Sequence, residues 1–306
     1  FNNMKIVVMG SYNSDMIVKV PHIPKPGETV LGGKFSTAAG GKGANQAVAA
    51  ARIGGDITFI ARLGDDSLGK DAIKRFESEN INTKYIKRDL VAPSGVALIV
   101  VDKNGQNSIA VALGSNSNLS PSDVDDSKEV IESAHILLTQ LETPLPSVEK
   151  AISLAKAAGI KVVLNPAPAQ VLNDNLLENL TVITPNESEA EVLTGISVTD
   201  FSNAEKAADA LLYKGIKIVV VTMGEKGALL KTNNLTKIIP GLNVDAVDAT
   251  AAGDVFNGSL VVAMSEGKSL EKSVEFANAA AAFSVTKLGA QPSAPTRTEV
   301  EMILNK

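Results

Sequence analysis

The chain has 306 residues, of which 44% are hydrophobic, so it can bury one large core or two smaller ones. A formal net charge of −5 and an aromatic content of 4% argue against a nucleic-acid surface, because phosphate neutralisation needs basic patches and single strands need stacking platforms. The absence of cysteine excludes disulfides and sulfur-ligated metals, and two histidines make a histidine-rich metal site unexpected.

The first predicted element is a buried strand at residues 5–9. Phe1, Asn2 and Asn3 precede Met4, which we expect to be the natural start, so that residues 4–306 form one domain. The apolar run after Met4 is typical of a core strand and not of a secretory segment. Since no run of 20 apolar residues follows, we expect a cytoplasmic protein without a membrane partner.

Short apolar runs then alternate with helical patterns. Further strands are predicted at 57–61, 136–139, 161–164, 182–184 and 217–221, with helices such as 147–158 and 204–213 between them. This alternation predicts an α/β fold with a doubly wound, mostly parallel sheet and helices on both faces. Ligands of such sheets bind beyond the carboxyl ends of the strands, which is where the sequence places Asn13, Asp15, Glu142, Asn165 and Asn186.

Two regions have an antiparallel pattern instead. Residues 15–20 and 29–35 flank a proline-rich turn, and residues 96–101 and 107–112 flank Asn104-Gly105, a strong hairpin signal. We interpret them as one small β-sheet, drawn from about 13–36 and 94–113, that forms a lid over a ligand near Gly41. The alternative is an edge extension of the main sheet.

A glycine-rich turn at residues 40–45, Gly-Gly-Lys-Gly-Ala-Asn, leads into a helix of small apolar residues. It is not a Walker loop, because Gly43 follows Lys42 where Ser or Thr is needed, and it lacks the third glycine of a dinucleotide fingerprint. Its backbone amides, the Lys42 ammonium and the Asn45 amide suit a polyhydroxylated ligand. The glycines would equally serve as ordinary turn residues.

A second small-residue turn at residues 247–258 is more informative. Ala251, Ala252 and Gly253 open an apolar helix, and Asp254 lies in its first turn. Free N–H groups at such a helix start favour an anion such as a transferring phosphate, and a neighbouring carboxylate can accept the proton of an attacking hydroxyl. An ordinary helix start with a first-turn Asp is the alternative.

Four motifs in sequence order carry a family resemblance. They are residues 10–15, the turn at 40–45, Asn186-Glu187-Ser188-Glu189 and the loop at 248–254. Together they resemble the phosphofructokinase-B family of carbohydrate kinases over about residues 5–297, and most closely its members that phosphorylate D-ribose. The resemblance implies transfer of the γ-phosphate of ATP to the 5-hydroxyl of D-ribose, with Asp254 as general base and an anion hole at Ala251, Ala252, Gly253 and Asp254. It also implies Mg²⁺, K⁺ and a homodimer formed through the lid sheet.

The resemblance further implies which residues contact each ligand. Sugar contacts are implied for Asn13, Ser14, Asp15, Gly41, Lys42, Gly43, Ala44, Asn45, Glu142 and Asp254. ATP contacts are implied for Asn186, Thr222, Met223, Gly224, Glu225, Lys226, Gly227, Gly253, Asp254 and Asn278. Glu189 would lie near Mg²⁺, and the K⁺ positions would be Asp248, Thr250, Ser284, Lys287, Gly289 and Ser293.

Other interpretations remain open. Asn186 and Glu189 have the spacing of an N-cap and its capping-box partner, and Glu142 alone would be a surface carboxylate. Ala249 and Val255 stand where the family usually has threonine. One alternative is another sugar or nucleoside kinase of the family, since only the side from Asn13 to Asn45 selects the acceptor. The other is a ribose-binding regulator in which Ala249 and Val255 impair catalysis.

Overall fold

The computed structural model describes residues 4–305, so the expectation for residues 1–3 lies outside the described residues. The strands in chain order are β1 (Lys5–Met9), β2 (Asn13–Lys19), β3 (Lys34–Gly40), β4 (Asp56–Gly64), β5 (Ile86–Asp89), β6 (Gly95–Val101), β7 (Asn107–Ala112), β8 (Ile136–Thr139), β9 (Lys161–Leu164), β10 (Val182–Ile183), β11 (Ile218–Thr222), β12 (Gly227–Thr232) and β13 (Leu235–Pro240). The helices are α1 (Lys42–Arg52), α2 (Ser67–Ser78), α3 (Pro121–Asp125), α4 (Lys128–Glu132), α5 (Leu145–Ala157), α6 (Asp174–Leu177), α7 (Glu187–Thr194), α8 (Phe201–Tyr213), α9 (Ala252–Ser265), α10 (Leu270–Ser284) and α11 (Arg297–Leu304).

Nine strands form the main sheet, in the order β13-β12-β11-β10-β9-β8-β1-β4-β5. The six strand pairs from β10-β11 to β4-β5 are parallel, whereas β12 pairs antiparallel with both β11 and β13 at one edge. The predicted doubly wound, mostly parallel sheet is confirmed. The hairpin of β12 and β13 was not predicted, because most side chains of β13 are exposed and give no clear apolar alternation.

The core lies on both faces of this sheet. In β1, Ile6 and Val8 pack with α1, α9 and α10, whereas Val7 and Met9 pack with α5 and α8 on the other face. All four side chains are fully buried, which explains the uninterrupted apolar run in the sequence. Among the described helices, none is both long and apolar enough to cross a bilayer.

Four strands form a separate small sheet in the order β3-β2-β6-β7. Strands β2 and β3 pair antiparallel, β6 and β7 pair antiparallel, and β2 and β6 join the two hairpins in parallel. The small sheet is therefore confirmed, and no strand of it pairs with the main sheet in the described part of the chain. The predicted strand at 29–35 was placed too early, since Gly32 and Gly33 have φ of 83° and 131° and the strand begins only at Lys34.

Candidate active site

The glycine turn brings α1 directly onto the connection that follows β1. Helix α1 begins after Gly41, which has a φ of 90°. A Cβ at Gly43 would lie 2.6 Å from the backbone of Gly10 and Ser11, so only glycine allows this approach. The Ala44 N–H donates to the Ser11 carbonyl at 2.9 Å. The close contact fixes the start of α1 beside the carboxyl end of β1.

Asp254 lies in the first turn of α9 and is almost completely buried. Its Oδ2 accepts a hydrogen bond from Asn45 Nδ2 at 3.0 Å, and its Oδ1 accepts one from Gln46 Nε2 at 3.0 Å. Burial raises the pKa of Asp254, against the lowering effect of the Lys42 charge and of the two amide donors. A buried carboxylate whose pKa is raised in this way suits a general base.

The N-terminus of α9 is open beside this carboxylate. Ala251 adopts a left-handed conformation with a φ of 61°, which turns the chain into the helix. Ala252 N donates to Ala249 O at 3.2 Å, but the N–H groups of Gly253 and Asp254 have no acceptor among residues 4–305. Space around Gly253 is free, because a Cβ there would meet no atom within 4 Å. Two free donors next to a carboxylate form a site suited to an anion.

Asn13 and Asp15 share one face of β2, and small residues flank both. Asn13 pairs with Gly40 and Gly95, so that its Oδ1 has room to accept from Asn116 Nδ2 at 3.0 Å. Asp15 packs so close to Gly40 that a Cβ at that glycine would lie 2.5 Å from its Oδ2. Ser14 lies on the opposite face of the strand, because successive side chains alternate.

Glu142 is held beside the glycine turn. Its Oε2 accepts hydrogen bonds from Ser11 Oγ at 2.5 Å and from the backbone N–H of Lys42 at 2.9 Å. Because Glu142 is half-buried and makes these two contacts, it is not a free surface carboxylate. Burial, and then the nearby Glu142 charge, raise the pKa of Asp15 to about 6. Asn45, in the same glycine-rich turn, has a buried Oδ1 without a hydrogen-bond partner in the described residues.

The structure also brings Asn186 next to Thr222. The two residues form a parallel bridge, and Thr222 N donates to Pro185 O at 2.9 Å. Asn186 caps α7 through the Glu189 N–H at 2.8 Å, and Glu189 Oε2 accepts from Asn186 N at 2.9 Å. The capping box is thus present. Burial raises the pKa of Glu189, whose carboxyl also experiences the charges of Lys42 and Asp254.

The turn after β11 is formed by Gly224 and Gly227, which have φ of 57° and 99°. Glu225 and Lys226 are exposed, whereas the Met223 side chain is buried in the core and leaves only its backbone for a ligand. Asn278 uses its Nδ2 to donate to the carbonyls of Ile239 at 3.2 Å and Pro240 at 3.4 Å. These bonds tie α10 to β13, so Asn278 has a structural role that the sequence did not indicate.

The loop before α9 lies against the segment that follows α10. Asp248 accepts hydrogen bonds from the N–H groups of Thr250 at 2.9 Å and Gly289 at 2.8 Å. Although partial burial acts in the opposite direction, these bonds lower the pKa of Asp248. The hydroxyls of Ser284 and Ser293 donate to backbone carbonyls of their own turns. The Lys287 ammonium contacts Glu299 at 3.0 Å, which leaves only the backbone of this residue for a cation.

Three residues of the site were not predicted. Gln46 contacts Asp254, Asn116 contacts Asn13, and Ser11 contacts Glu142. The sequence signal that could have identified Gln46 is a polar residue directly before the run of small apolar residues in α1, and the structure buries it completely. Asn116 lies in a short 3-10 helix, Gly114–Asn118, without any recognisable motif.

Comparison with known proteins identifies the family. Residues 3–297 match the sequence model of the pfkB family carbohydrate kinases. The chain belongs to this family. This carbohydrate kinase is 50% identical to a ribokinase of Haemophilus influenzae over 294 residues, which is 96% of each chain. It is also 40% identical to a deoxyribokinase of Salmonella typhi, over 96% of each chain.

A solved structure of an Arabidopsis thaliana ribokinase complexed with ribose and ATP has the same fold. It superposes on this kinase with a TM-score of 0.93 at 33% identity and covers 99% of both chains. The family resemblance found in the sequence motifs and the predicted α/β fold are confirmed, and the fold is ribokinase-like.

Proposed function

We propose that this kinase is a ribokinase, which transfers the γ-phosphate of ATP to the 5-hydroxyl of D-ribose. The observation that carries this proposal is the buried Asp254 carboxylate, which lies beside two free N–H groups and accepts a hydrogen bond from Asn45 of the glycine-rich turn. Ribokinases from two kingdoms are relatives over almost the whole chain, which supports the substrate pair.

The residues divide the reaction into two tasks. Asp254 accepts the proton of the ribose 5-hydroxyl while the oxygen of that hydroxyl forms a bond to the γ-phosphorus. The bond between the γ-phosphorus and the bridging oxygen of the β-phosphate breaks, and ADP is released. The N–H groups of Gly253 and Asp254 stabilise the charge on the transferred phosphoryl group. The anion hole of Ala251, Ala252, Gly253 and Asp254 therefore acts together with the base.

The sugar is held on the other side of Asp254. Asp15 accepts from ring hydroxyls, while Asn13 and Asn45 can both donate and accept. The buried, unpartnered Oδ1 of Asn45 supports this role, since a ligand hydroxyl would satisfy it. The glycine-rich turn would contribute Gly41, Lys42, Gly43 and Ala44 to the sugar site, and Glu142 holds this turn through the Lys42 N–H. Ser14 is the one member of the predicted set on the far face of β2.

For ATP, we assign the turn at residues 222–227, Asn186, Gly253 and Asn278. Mg²⁺ bound with the ATP phosphates would neutralise their charge, and Glu189 with Asn186 would lie nearest to it. No cluster of three or more His, Cys, Asp or Glu side chains in residues 4–305 is arranged to hold a metal. Mg²⁺ commonly takes only one or two carboxylates beside substrate phosphates and water, and Glu189 would be the carboxylate that this chain supplies.

Ribose affinity is expected to depend on the ionisation of Asp15. Its pKa is raised to about 6 by burial and by Glu142, and the ionised carboxylate accepts hydrogen bonds from hydroxyls more strongly than the protonated form, with both oxygens. The dissociation constant for ribose should therefore increase up to about tenfold for each pH unit below 6 and be constant above 7. Calorimetric titrations from pH 5 to 8 at fixed ionic strength measure this. Asp15→Asn is the matched control and should bind with little pH dependence; a parent protein that binds ribose equally at pH 5 and 8 would contradict the assignment.

A K⁺ site is proposed at Asp248, Thr250, Ser284, Lys287, Gly289 and Ser293. The hydrogen bond from the Gly289 N–H to Asp248 supports it, because it holds a carboxylate against the segment that follows α10. Carboxylate and backbone carbonyl oxygens are the hard donors that alkali cations prefer. Replacement of K⁺ by tetramethylammonium should lower kcat several-fold, and Asp248→Ala should remove the difference between the salts. Equal initial rates of the parent in both salts at matched ionic strength would exclude the site.

The small sheet is proposed as a lid over the sugar and as the interface of a homodimer. Apolar side chains remain more than half exposed on both of its faces, among them Phe35 and Leu98 on one face and Ile109 and Val111 on the other. One face would cover the sugar beside Asp15, and the other would pack on a second copy. A cytoplasmic location follows from the proposed use of ATP.

Two alternatives have specific observations behind them. The deoxyribokinase relative supports a kinase of the same family with another acceptor. Ala249 and Val255 raise the alternative of a regulator with impaired catalysis, but Val255 is packed in the core, and both the base and the free N–H groups are present. ADP release measured with a panel of pentoses, hexoses and nucleosides tests all three. If ADP is released fastest with ribose, the proposal is supported. Faster ADP release with deoxyribose or a nucleoside supports the first alternative, and ribose binding without any ADP release supports the second.

A further inference from the structure

Asp254 is joined to a chain of buried side chains that neither the sugar nor the nucleotide role uses. Gln46, which has no exposed surface, donates through Nε2 to Asp254 Oδ1 and to Asn165 Oδ1, both at 3.0 Å. Its Oε1 accepts from Gln140 Nε2 at 2.6 Å. Gln46 is therefore fixed by three hydrogen bonds in the interior.

The direction of these bonds follows from chemistry. An ionised carboxylate can only accept, so Gln46 must present its amide nitrogen to Asp254 and its Oε1 to the other side. Gln140 supplies the donor that this Oε1 needs. Room for Gln140 comes from Gly10, where a Cβ would lie only 2.1 Å from Gln140 Oε1. The glycine after β1 is thus part of the support of Asp254.

The same chain continues to the anion hole. Asn165 Nδ2 donates to the Thr184 carbonyl at 3.5 Å, and Thr184 Oγ1 donates to Asn257 Oδ1 at 2.6 Å. Asn257 Nδ2 then donates to Gly253 O at 2.8 Å. The chain connects the carboxyl ends of β8, β9 and β10 with the first turn of α9, through Gln140, Gln46, Asn165, Thr184 and Asn257.

We propose that Gln46 is a positioning residue for phosphoryl transfer, which holds the Asp254 carboxylate ionised and in one orientation beside the open N-terminus of α9. The inference rests on the proposed function of Asp254 as general base. It does not require Gln46 to touch either substrate. Misplacement of a reacting group by about 1 Å can lower a rate by about 100-fold, so an orienting contact of this kind has a measurable effect.

The test replaces Gln46 by methionine, which has a similar length and no N–H donor. We expect Gln46→Met to lower kcat by about 10- to 100-fold while the dissociation constant for ribose changes less than about threefold. In a plot of kcat against pH, the fall of kcat on the acidic side should move to higher pH, because loss of a donor to the carboxylate raises the pKa of Asp254. We call this fall the acidic limb. The other charged groups that act on Asp254, namely Lys42, Glu142 and Glu189, are unchanged in this variant.

Ser147→Ala is the matched control. Ser147 is also completely buried, and its hydroxyl donates to Leu119 O at 2.6 Å away from the site. This variant should unfold at lower temperature and keep the parent's kcat profile. If Gln46→Met likewise loses only thermal stability and retains the acidic limb of the parent, Gln46 is a structural residue and the proposal is wrong.

Gln140→Met keeps the test decisive if the first variant does not fold. Gln140 contacts Gln46 but is not bonded to Asp254, so we expect a smaller loss of kcat and a smaller shift of the limb in the same direction. In a foldable double variant the two losses should not add; full additivity would contradict action through Gln46. The parent protein is assayed first, and if it releases no ADP in response to ribose, the proposed function is wrong. If the parent is active and the variants have the same kcat, only the role of Gln46 is contradicted.

Discussion

Asp254→Asn is expected to lower kcat with saturating ATP and ribose by about 10²- to 10⁴-fold, the usual contribution of general-base assistance. The amide keeps the shape of the carboxylate but cannot take the proton of the 5-hydroxyl. Both neighbours can remain in contact, because Asn45 can turn its unpartnered Oδ1 toward the new N–H and present its Nδ2 as a donor to the sugar instead. The dissociation constant for ribose should accordingly stay within a few-fold of the parent value.

Steady-state ADP release and calorimetric ribose titration measure the two effects separately. Asp174→Asn is a suitable control, since Asp174 lies on the surface in an ion pair with Lys214 and loses the same charge on substitution. It should retain the parent's kcat. An Asp254→Asn protein with more than half of the parent's kcat would show that another group is the base.

The second large effect is expected from Asp15→Ala. The parent should prefer ribose to 2-deoxyribose and arabinose by roughly tenfold to a few hundredfold in kcat/KM, because a half-buried carboxylate that loses a hydroxyl donor is left without a partner. Asp15→Ala removes the group that penalises the missing hydroxyl. Most of the preference should therefore disappear, through a fall in kcat/KM for ribose and little change for 2-deoxyribose.

Initial rates with the three sugars, for parent and variant, measure this preference. Asp126→Ala, which removes a surface carboxylate paired with Lys87, should leave the preference unchanged. Retention of the full preference in Asp15→Ala would contradict the role of Asp15. Equal efficiency of the parent on ribose and 2-deoxyribose would instead favour the deoxyribokinase alternative.

Much of the fold could be predicted because local patterns and tertiary structure agree. The apolar run of β1 is buried on both faces, and Asn104-Gly105 forms the predicted hairpin between β6 and β7. The prediction failed where this agreement is absent. The apolar character of residues 29–31 suggested a strand, but Gly32 and Gly33 adopt positive φ and delay the start of β3.

The candidate site was predictable only as far as its motifs extend. Asn45 and Asp254 stand in recognisable turns, and the structure brings them into contact across 209 positions of sequence. Gln46 and Asn116 belong to no pattern of their own, because their roles arise from side chains that meet only in the folded chain. The spacing of Asn186 and Glu189 predicted a capping box and a ligand site equally. The structure shows the capping box, and both residues could still contact a ligand.

The most direct test of the central proposal is identification of the product formed from ATP and D-ribose. Phosphorus and proton nuclear magnetic resonance of the reaction mixture locate the new phosphate and give its ratio to ADP. The account predicts D-ribose 5-phosphate in a one-to-one ratio with ADP, and no product with Asp254→Asn on the same time scale. A phosphate on another hydroxyl, or ADP released without any phosphorylated ribose, would contradict it.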